Sequence, residues 1–364
     1  MMTPDEMVAL LNHSIPPIQK HLTERNQFRP VTVEEMAALL AVEQANKNRL
    51  GIREWLGLGI QMGQLADPRY YLGYHDRAGC FKSAVQKYIR RSETEKALRA
   101  ARSLWRMGKG AAIGRLKIIV PEDAHCAIGL LEHVHDDMTE ADYLGIVKVV
   151  AEGPKDKSSC PLAIAMDEDE TLEGLVPDVE LVRQHLMDRS KLPVVARHVF
   201  KLCKLERHEA VLGMLPKSKV VATLIGRQKA GVMWGDDATL LVIAAIRFVQ
   251  GDFDASMQPA QVEPPSIIPL RLDELQWYCL DFHTAVGRVA ERIFLSHHRE
   301  IDSKRLRRAW FVNESGRLAG NVLSSEWDAM PRDTDFWMRY AREIEQLVRD
   351  MMRKFQLDQY GRLV

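Results

Sequence analysis

The sequence predicts an all-α protein built from two closely packed helical lobes. Apolar residues recur at helical spacing along most of the 364 residues, and no stretch shows the strong polar–apolar alternation of a half-buried strand. Serine or threonine precedes glutamate by three residues at several predicted helix starts, which is the spacing of a capping box. No internal repeat or low-complexity tract argues for another architecture.

The composition is that of a globular protein without a membrane segment. Hydrophobic residues make up 46% and charged residues 27% of the chain, and the formal net charge is zero. No window approaches about 18 consecutive apolar residues, and the first residues lack the pattern of a signal peptide. The cysteines are odd in number and form no CxxC pair, so we expect free thiols in a reducing cytoplasm: Cys80, Cys126, Cys160, Cys203 and Cys279.

The first predicted helices precede a basic segment. Capping boxes begin at Thr3 and Thr32, and residues 32–60 are rich in Ala, Leu and Glu at helical spacing. A looser stretch at 63–79 contains three tyrosines. Residues 82–117 then hold eleven Lys and Arg and only two acids, a local net charge of +9 in a neutral chain. Such an imbalance usually marks a polyanion-binding face, although a solvated helix surface is the alternative.

Three helices are predicted within the basic segment. The first covers 81–91, and the second begins at a capping box of Ser92 and Glu95 and ends at the glycines after it. The third covers 111–120 and is stopped by Pro121. The cations of the second helix fall on one stripe, opposite its apolar residues: Lys96, Arg99, Arg102 and Arg106.

The remaining sequence predicts further helices and two breaks. Loop-forming residues and an acidic run mark a boundary within 151–180, and a proline-rich linker is expected at 251–270. The apolar run 239–249 is predicted to be a buried helix. Other helices are expected at 178–213, 272–295, 302–311 and 334–355. The breaks divide the chain into an N-terminal lobe at 1–155, a helical middle at 156–270 and a C-terminal helical part at 271–364.

The residue order of the basic segment resembles a known family. The run FKSAVQKYIRRSETEKAL, followed by RLKIIVPEDAH, is similar to the helical region after the ATPase core of the replication-associated recombination ATPase family (RarA/MgsA). Arg91 stands where that family usually has Gly. The similarity covers residues 81–125 and rests on Ser83, Ala84, Lys87, Arg90, Ser92, Ala97, Leu98, Arg115, Leu116, Glu122 and Asp123.

The ATPase core of that family is absent from this sequence. The phosphate-binding pattern GxxxxGK[ST] occurs nowhere, and the residues ahead of the similarity are too few for an AAA+ module. The stretch GKGAAIG at 108–114 fits an interhelical turn or a helix-hairpin-helix phosphate contact. The resemblance therefore implies DNA-related biology and a collar-like helical fold, without ATP hydrolysis and without a cofactor.

The cations of the basic segment form the predicted DNA-binding face. Glu122 and Asp123 follow Pro121, where they either stabilise a helix start or pair with Arg115 or Lys87 and preset that face. The residues expected to contact phosphate, with Arg288 from further along the chain, are Lys82, Lys87, Arg90, Arg91, Lys96, Arg99, Arg102, Lys109 and Arg115.

The motif DFHTAVGR at 281–288 is the predicted catalytic site. Asp281 would activate water or stabilise an oxocarbenium ion, and His283 would fix its protonation state. Glu122 and Asp123 are the other catalytic candidates. The alternative is that Asp281 and Thr284 cap a helix and that His283 is their partner.

These patterns favour a cytoplasmic, DNA-acting protein of genome maintenance or phage defence. One alternative is a DNA glycosylase-like enzyme that excises a flipped base with Asp281 as the acid. Another is a non-catalytic module that docks onto replication or repair proteins and forms a homo-oligomer. The histidines and aspartates within 125–137 do not supply a complete ligand set, so no metal is predicted.

Overall fold

The computed structural model describes residues 74–167, 169–205, 207–229, 236–323 and 325–354. The predicted all-α class is confirmed: these ranges contain α-helices, short 3-10 helices and one π turn, and they contain no strand beyond two isolated bridges. No helix in the described ranges is long and apolar enough to cross a membrane. The capping boxes at Thr3 and Thr32 and the predicted helix at 32–60 lie outside the described residues.

The chain divides into two compact units, and each unit is assembled from separate stretches of sequence. Unit 1 comprises Met1–Ser83, Arg271–Arg307 and Asp335–Val364, and unit 2 comprises Ala84–Leu270 and Arg308–Thr334. One limit therefore falls between residues 270 and 271, whereas residues 155 and 156 both lie inside unit 2.

Three helices follow one another closely in the basic segment. α1 spans Tyr74–Arg90, α2 spans Thr94–Met107 and α3 spans Lys109–Asp123. Gly108 alone joins α2 to α3, with extended backbone at φ −178° and ψ 112°. Its N–H bonds to the carbonyl of Leu104 at 3.0 Å and so completes the last turn of α2. The two helices therefore turn sharply and pack against each other.

Three predicted helix limits in this segment are wrong. α1 begins at Tyr74 and not at residue 81, so the end of the stretch predicted to be looser is helical. Ser92 does not cap α2: it has a φ of 54°, and its hydroxyl donates to the carbonyl of Ala319 at 3.0 Å. Glu93 takes the N-cap position without a side-chain cap. Pro121 does not stop α3, which continues to Asp123. A proline so near the end costs only one helical hydrogen bond, because few turns remain to be disrupted.

Seven further helices belong to unit 2 and surround its core. The central one is α10, whose residues 240–246 are each no more than 3% exposed, so the predicted buried helix at 239–249 is confirmed. α10 packs against α3, α5, α7 and α9. The bounds are Glu140–Glu152 for α4, Ser159–Asp167 for α5, Val179–His185 for α6, Leu192–Lys204 for α7, His208–Met214 for α8, Lys219–Lys229 for α9 and Asp236–Val249 for α10.

The proline-rich stretch 251–270, which we call the strap, lies across α4 and α2. The N–H of Ala260 donates to the carbonyl of Gly145, and that of Leu270 to the carbonyl of Arg99, both at 3.3 Å. Gly145 is required at this crossing, because a Cβ there would lie 2.1 Å from the carbonyl oxygen of Ala260. The predicted linker is therefore a bound segment of unit 2.

Unit 1 is held by helices from the C-terminal third of the chain. α11 spans Ala285–His297, α12 spans Ser303–Trp310 and continues past the limit of the unit at Arg307, and α14 spans Thr334–Lys354. The helix predicted at 272–295 starts later than expected, because two 3-10 turns and the turn at Asp281 precede α11. The short α13, Ser325–Asp328, and a π turn at Phe311–Ser315 belong to unit 2.

Candidate functional site

A buried ionic cluster forms where the end of α1 meets the end of α3. Arg90 donates from Nε to Asp123 at 2.6 Å, from Nη2 to Glu122 at 2.5 Å and from Nη1 to the carbonyl of Ser315 at 2.7 Å. Gln86 donates to both carboxylates, at 2.7 and 2.5 Å. The Arg90 side chain is only 4% exposed. Its guanidinium is therefore fully engaged inside unit 2.

Lys157 supplies the second cation of this ionic cluster. Its Nζ lies 3.2 Å from Glu122 and 3.3 Å from Asp123, and the side chain is fully buried. The same Nζ lies 4.5 Å from the ring centroids of Phe311 and Trp327. Two aromatic faces and two carboxylates thus surround a buried ammonium group, so its charge is offset on several sides.

The cations decide the ionisation of Glu122. Burial by itself raises the pKa of this carboxyl group, but the charges of Arg90, Lys157 and Arg115 outweigh burial and hold its pKa well below the usual range. Glu122 is therefore ionised at neutral pH. A carboxylate in this state has no proton to donate, so it serves as a counter-ion.

The predicted roles of Glu122 and Asp123 change accordingly. Both lie at the C-terminal end of α3, not at a helix start, and there the helix dipole opposes negative charge. Arg90 and Lys157 are in contact with them, and Arg115, one of the two predicted partners, acts on Glu122. Because both carboxylates are buried against internal partners, neither is placed to touch a substrate.

A second buried network lies beside the first and is centred on Arg247 of α10. The guanidinium donates to Asp156 at 3.0 Å, to Ser159 at 2.7 Å and to Asp252 at 2.7 Å. His125 is fully buried nearby, and its ring nitrogens have no hydrogen-bond partner in the described part of the chain. Burial, and then the charge of Arg247, lowers the pKa of His125 to about 3. His125 is therefore neutral.

Metal ligation finds no support in the described residues. No group of three or more His, Cys, Asp and Glu side chains there is arranged to hold a metal ion. His135 and Asp137 contact each other at 3.0 Å in an exposed turn, whereas His125 is enclosed.

Residues 155–157 were not predicted to belong to the site, because the surrounding sequence is typical of a loop. Lys155 is buried and donates to the carbonyls of Val150 at 3.1 Å and Ala151 at 2.9 Å, so it caps the end of α4. Burial lowers the pKa of Lys155 to about 8. No local motif predicts their roles, because the carboxylate partners of Lys157, Glu122 and Asp123, are far from it in the sequence.

Three cations of the predicted DNA-binding face are buried inside the protein. Lys87 and Arg90 are each 3% exposed and Arg102 is 8% exposed. Arg102 lies 3.2 Å from Glu140 and donates to the carbonyl of Ile267 in the strap. The prediction that these three contact phosphate is corrected, because burial and internal partners remove them from the surface.

Three more of the predicted cations are half-buried and already have partners. Arg91 forms an ion pair with Glu314, and Lys96 pairs with Glu93 at 2.6 Å. Arg99 donates from Nε to a strap carbonyl, that of Ile268, at 3.0 Å. Lys82, on the unit 1 part of α1, is half-buried as well.

Three cations of α2 and α3 form no ion pair within 4 Å in the described residues, although Lys109 acts at longer range on the carboxylate of Asp137. Arg106 is exposed in the last turn of α2, and Lys109 and Lys117 are partly exposed on α3. The Lys109 ammonium lies 5.5 Å from the ring centroid of Trp105. We call Arg106, Lys109 and Lys117 the basic corner. Arg115 is partly exposed beside it and acts on the carboxylate of Glu122.

The DFHT motif forms the start of α11. Thr284 is the N-cap: its hydroxyl accepts from the N–H of Gly287 at 3.1 Å and donates to the carbonyl of Asp281 at 2.8 Å. Gly287 is required because a Cβ there would lie 1.9 Å from that carbonyl oxygen. Arg288 donates to the carbonyl of His283 at 3.1 Å. Each of these polar groups thus braces a helix start.

The Asp281 carboxylate is enclosed, while its histidine partner is exposed. Asp281 accepts from the N–H of His283 at 3.1 Å, and its other oxygen lies 3.1 Å from Nδ1 of the same residue. The side chain of Asp281 is 1% exposed and that of His283 is 59% exposed. A substrate base cannot reach the carboxylate in this conformation, so the geometry favours the capping alternative.

The comparisons with known proteins return no relative. No family model matches the chain, and no curated protein or solved structure matches it either.

Proposed function

We propose that this protein is a cytoplasmic DNA-binding protein of genome maintenance or defence, and that it contacts the phosphate backbone through the basic corner. The observation that carries the proposal is charge sorting. Residues 96–121 contain seven Lys and Arg and no acid, and the basic corner forms no ion pair within 4 Å among the described residues, with Asp137 acting on Lys109 only at longer range. Cations left unneutralised by a fold are the ones available to a polyanion.

The shape of the α2–α3 junction supports this assignment. α3 begins at Lys109 with no acid in its first turn, so the positive end of its dipole adds to the basic corner. Gly110 is exposed, and a Cβ placed there would meet no atom within 4 Å, so the approach to this helix start is open. Lys109 and Lys117 are separated by about 12 Å along the helix axis, which spans several phosphates of one strand.

The test is DNA binding by the double variant R106E/K109E as a function of salt. We expect at least a tenfold loss of affinity for a short duplex, and a fall of about 2 in the slope of log K against log salt, because each neutralised phosphate contributes about 0.9. The control is K191E/K217E, which makes the same change in net charge at two exposed lysines of unit 2.

Two outcomes contradict the proposal. In the first, the affinity of the wild-type protein for DNA does not change between low and moderate salt. In the second, R106E/K109E binds DNA as tightly as the control variant K191E/K217E. Capture of a replication or repair protein without any DNA binding would instead support a docking module. The glycosylase alternative is not carried forward, because the Asp281 carboxylate is enclosed.

A further inference from the structure

We propose that the exposed face of α14 in unit 1 is a separate nucleic-acid contact, which binds the sugar-phosphate backbone through a line of arginines. This inference does not rest on the basic corner, which lies in unit 2. Its basis is the position of the arginines on α14, the pairing of the acids beside them and the packing of the opposite face.

The arginines of α14 are sorted onto its solvent face. Its apolar face is formed by buried Phe336, Trp337, Ile344, Val348 and Met351. From residue 338 onward, the exposed side chains are Met338, Arg339, Arg342, Gln346, Arg349 and Arg353. The spacing of three and four residues from Arg339 to Arg353 keeps all four arginines on one stripe.

Three of the four acids of the described α14 have partners of their own, and the fourth, Asp335, is exposed in the first turn, ahead of the arginines. Glu343 is turned toward α11, where it lies 2.9 Å from Nε2 of His298. Glu345 pairs with Arg349 at 2.7 Å, and Asp350 pairs with Arg353 at 3.4 Å. Exposed pairs of this kind are worth about 0–1 kcal/mol, so phosphate can displace them.

Arg339 and Arg342 are the cations that the unit leaves unneutralised on this stripe. Both are exposed, and neither has a carboxylate partner in the described part of the chain. Arginine presents a planar fork of donors that binds phosphate oxygens in pairs, whereas lysine offers a point charge. The choice of four arginines therefore favours phosphate as the partner group.

The length of the stripe fits a repeating anion. Arg339 and Arg353 are about 21 Å apart along the helix axis, at 1.5 Å per residue. One strand of a duplex carries a phosphate for about every 3.4 Å of duplex axis, so the stripe is long enough to meet more than one phosphate of a strand. A single acidic side chain or a free phosphate would use only one turn of the helix, so a nucleic-acid backbone is the ligand that engages the full stripe.

A membrane surface fits the same face less well. An amphipathic helix binds a bilayer by burying its apolar side among the lipids. In α14 that side already packs within unit 1: Tyr340 lies edge-on to Phe294 of α11, with ring centroids 5.4 Å apart, and Arg305 of α12 lies 4.4 Å from the ring centroid of Phe336. Only Met338 is a large exposed apolar side chain of the described α14.

The test compares binding of duplex DNA and a single strand to charge variants of α14. We expect R339E/R342E to weaken binding at least tenfold and to lower the salt slope by about 2. R339K/R342K, which keeps the charge but loses the fork, should fall in between. E345Q should bind more tightly than wild type, because it releases Arg349 from its partner. K191E/K217E is the matched control, and circular dichroism checks that each variant keeps its helix content.

The outcomes separate this inference from the proposed function. Loss of binding in R106E/K109E with none in R339E/R342E supports the basic corner and overturns the α14 contact. Loss in R339E/R342E alone supports the α14 contact and overturns the basic corner. Unchanged DNA binding together with weaker binding of R339E/R342E to anionic phospholipid vesicles would assign α14 to a membrane and overturn the inference.

Discussion

Arg90 shows how a cation that resembles a DNA contact becomes part of the core. Its sequence context is a dense basic segment, which is typical of a phosphate-binding face. In the structure its partners are Asp123, Glu122 and the carbonyl of Ser315, and the last lies 225 positions away. A local charge count cannot detect neutralisation by distant acids, and this is why the sequence overestimated the DNA-binding face.

Removal of Arg90 should be strongly destabilising. In R90A the carboxylates of Glu122 and Asp123 stay buried with Lys157 as the remaining cation in contact and Arg115 acting on Glu122, and breaking a buried ion pair costs about 3–5 kcal/mol. Urea denaturation measures the free energy of unfolding. K96A is the control, because the Lys96–Glu93 pair lies at the surface, with side chains 44% and 27% exposed, and should contribute less than about 1 kcal/mol. Equal losses in the two variants would refute a structural role for the cluster.

The buried His125 makes the free energy of unfolding depend on pH below about 6.5. Its pKa is about 3 in the folded protein, against about 6.5 when unfolded, so the unfolded state binds the proton first as the pH falls. Stability should therefore decline below about pH 6.5, by up to about 1.4 kcal/mol per pH unit. Glu122 has the same sign, but its contribution is lost only below the unfolded pKa of about 4.3.

The variant H125Q isolates this effect. Between about pH 5 and 6.5 the wild-type free energy of unfolding should fall more steeply with acidification than that of H125Q, in which His198, whose pKa is also lowered by burial, keeps a smaller dependence of the same sign. Chemical denaturation at a series of pH values gives the comparison. Parallel slopes for the two proteins would mean that His125 is protonated in the folded state.

At the scale of elements, helical periodicity predicted the helices better than it predicted their ends. The apolar run 239–249 became the central α10, because an uninterrupted apolar helix has to be enclosed. The end of α2 at Gly108 was also predicted. The start at Ser92 was not, because its hydroxyl bonds to Ala319 instead of to its own helix.

The strap supplies a prediction at this scale. G145A would place a methyl group 2.1 Å from the carbonyl oxygen of Ala260, so the strap has to move away from α4. We expect lower thermal stability and faster proteolysis within 251–270. G213A is the control: that glycine is exposed in α8 with no atom within 4 Å of a Cβ, and the change should be neutral or stabilising by up to about 1 kcal/mol. Equal proteolysis would show that the strap is not held there.

At the scale of the whole molecule, the sequence predicted the fold class and the neutral overall charge balance but not the units. Unit 2 combines Ala84–Leu270 with Arg308–Thr334. No change in amino-acid composition along the sequence predicts that these two stretches belong to one unit. The candidate site was predicted in part: the basic corner lies inside the predicted basic segment, whereas the arginine line of α14 is visible only once the buried face of that helix is known.

Unit 2 is assembled from two separate stretches of the chain, and this affects how it folds during synthesis. Arg90 and Lys157 receive the Ser315 carbonyl and the rings of Phe311 and Trp327 only after synthesis has passed residue 310. A fragment that stops at residue 270 therefore leaves two buried cations without part of their surroundings. Ribosome-bound intermediates of unit 2 should stay incomplete until residues 308–334 emerge, so their assembly waits for a segment that follows the rest of the unit in the chain.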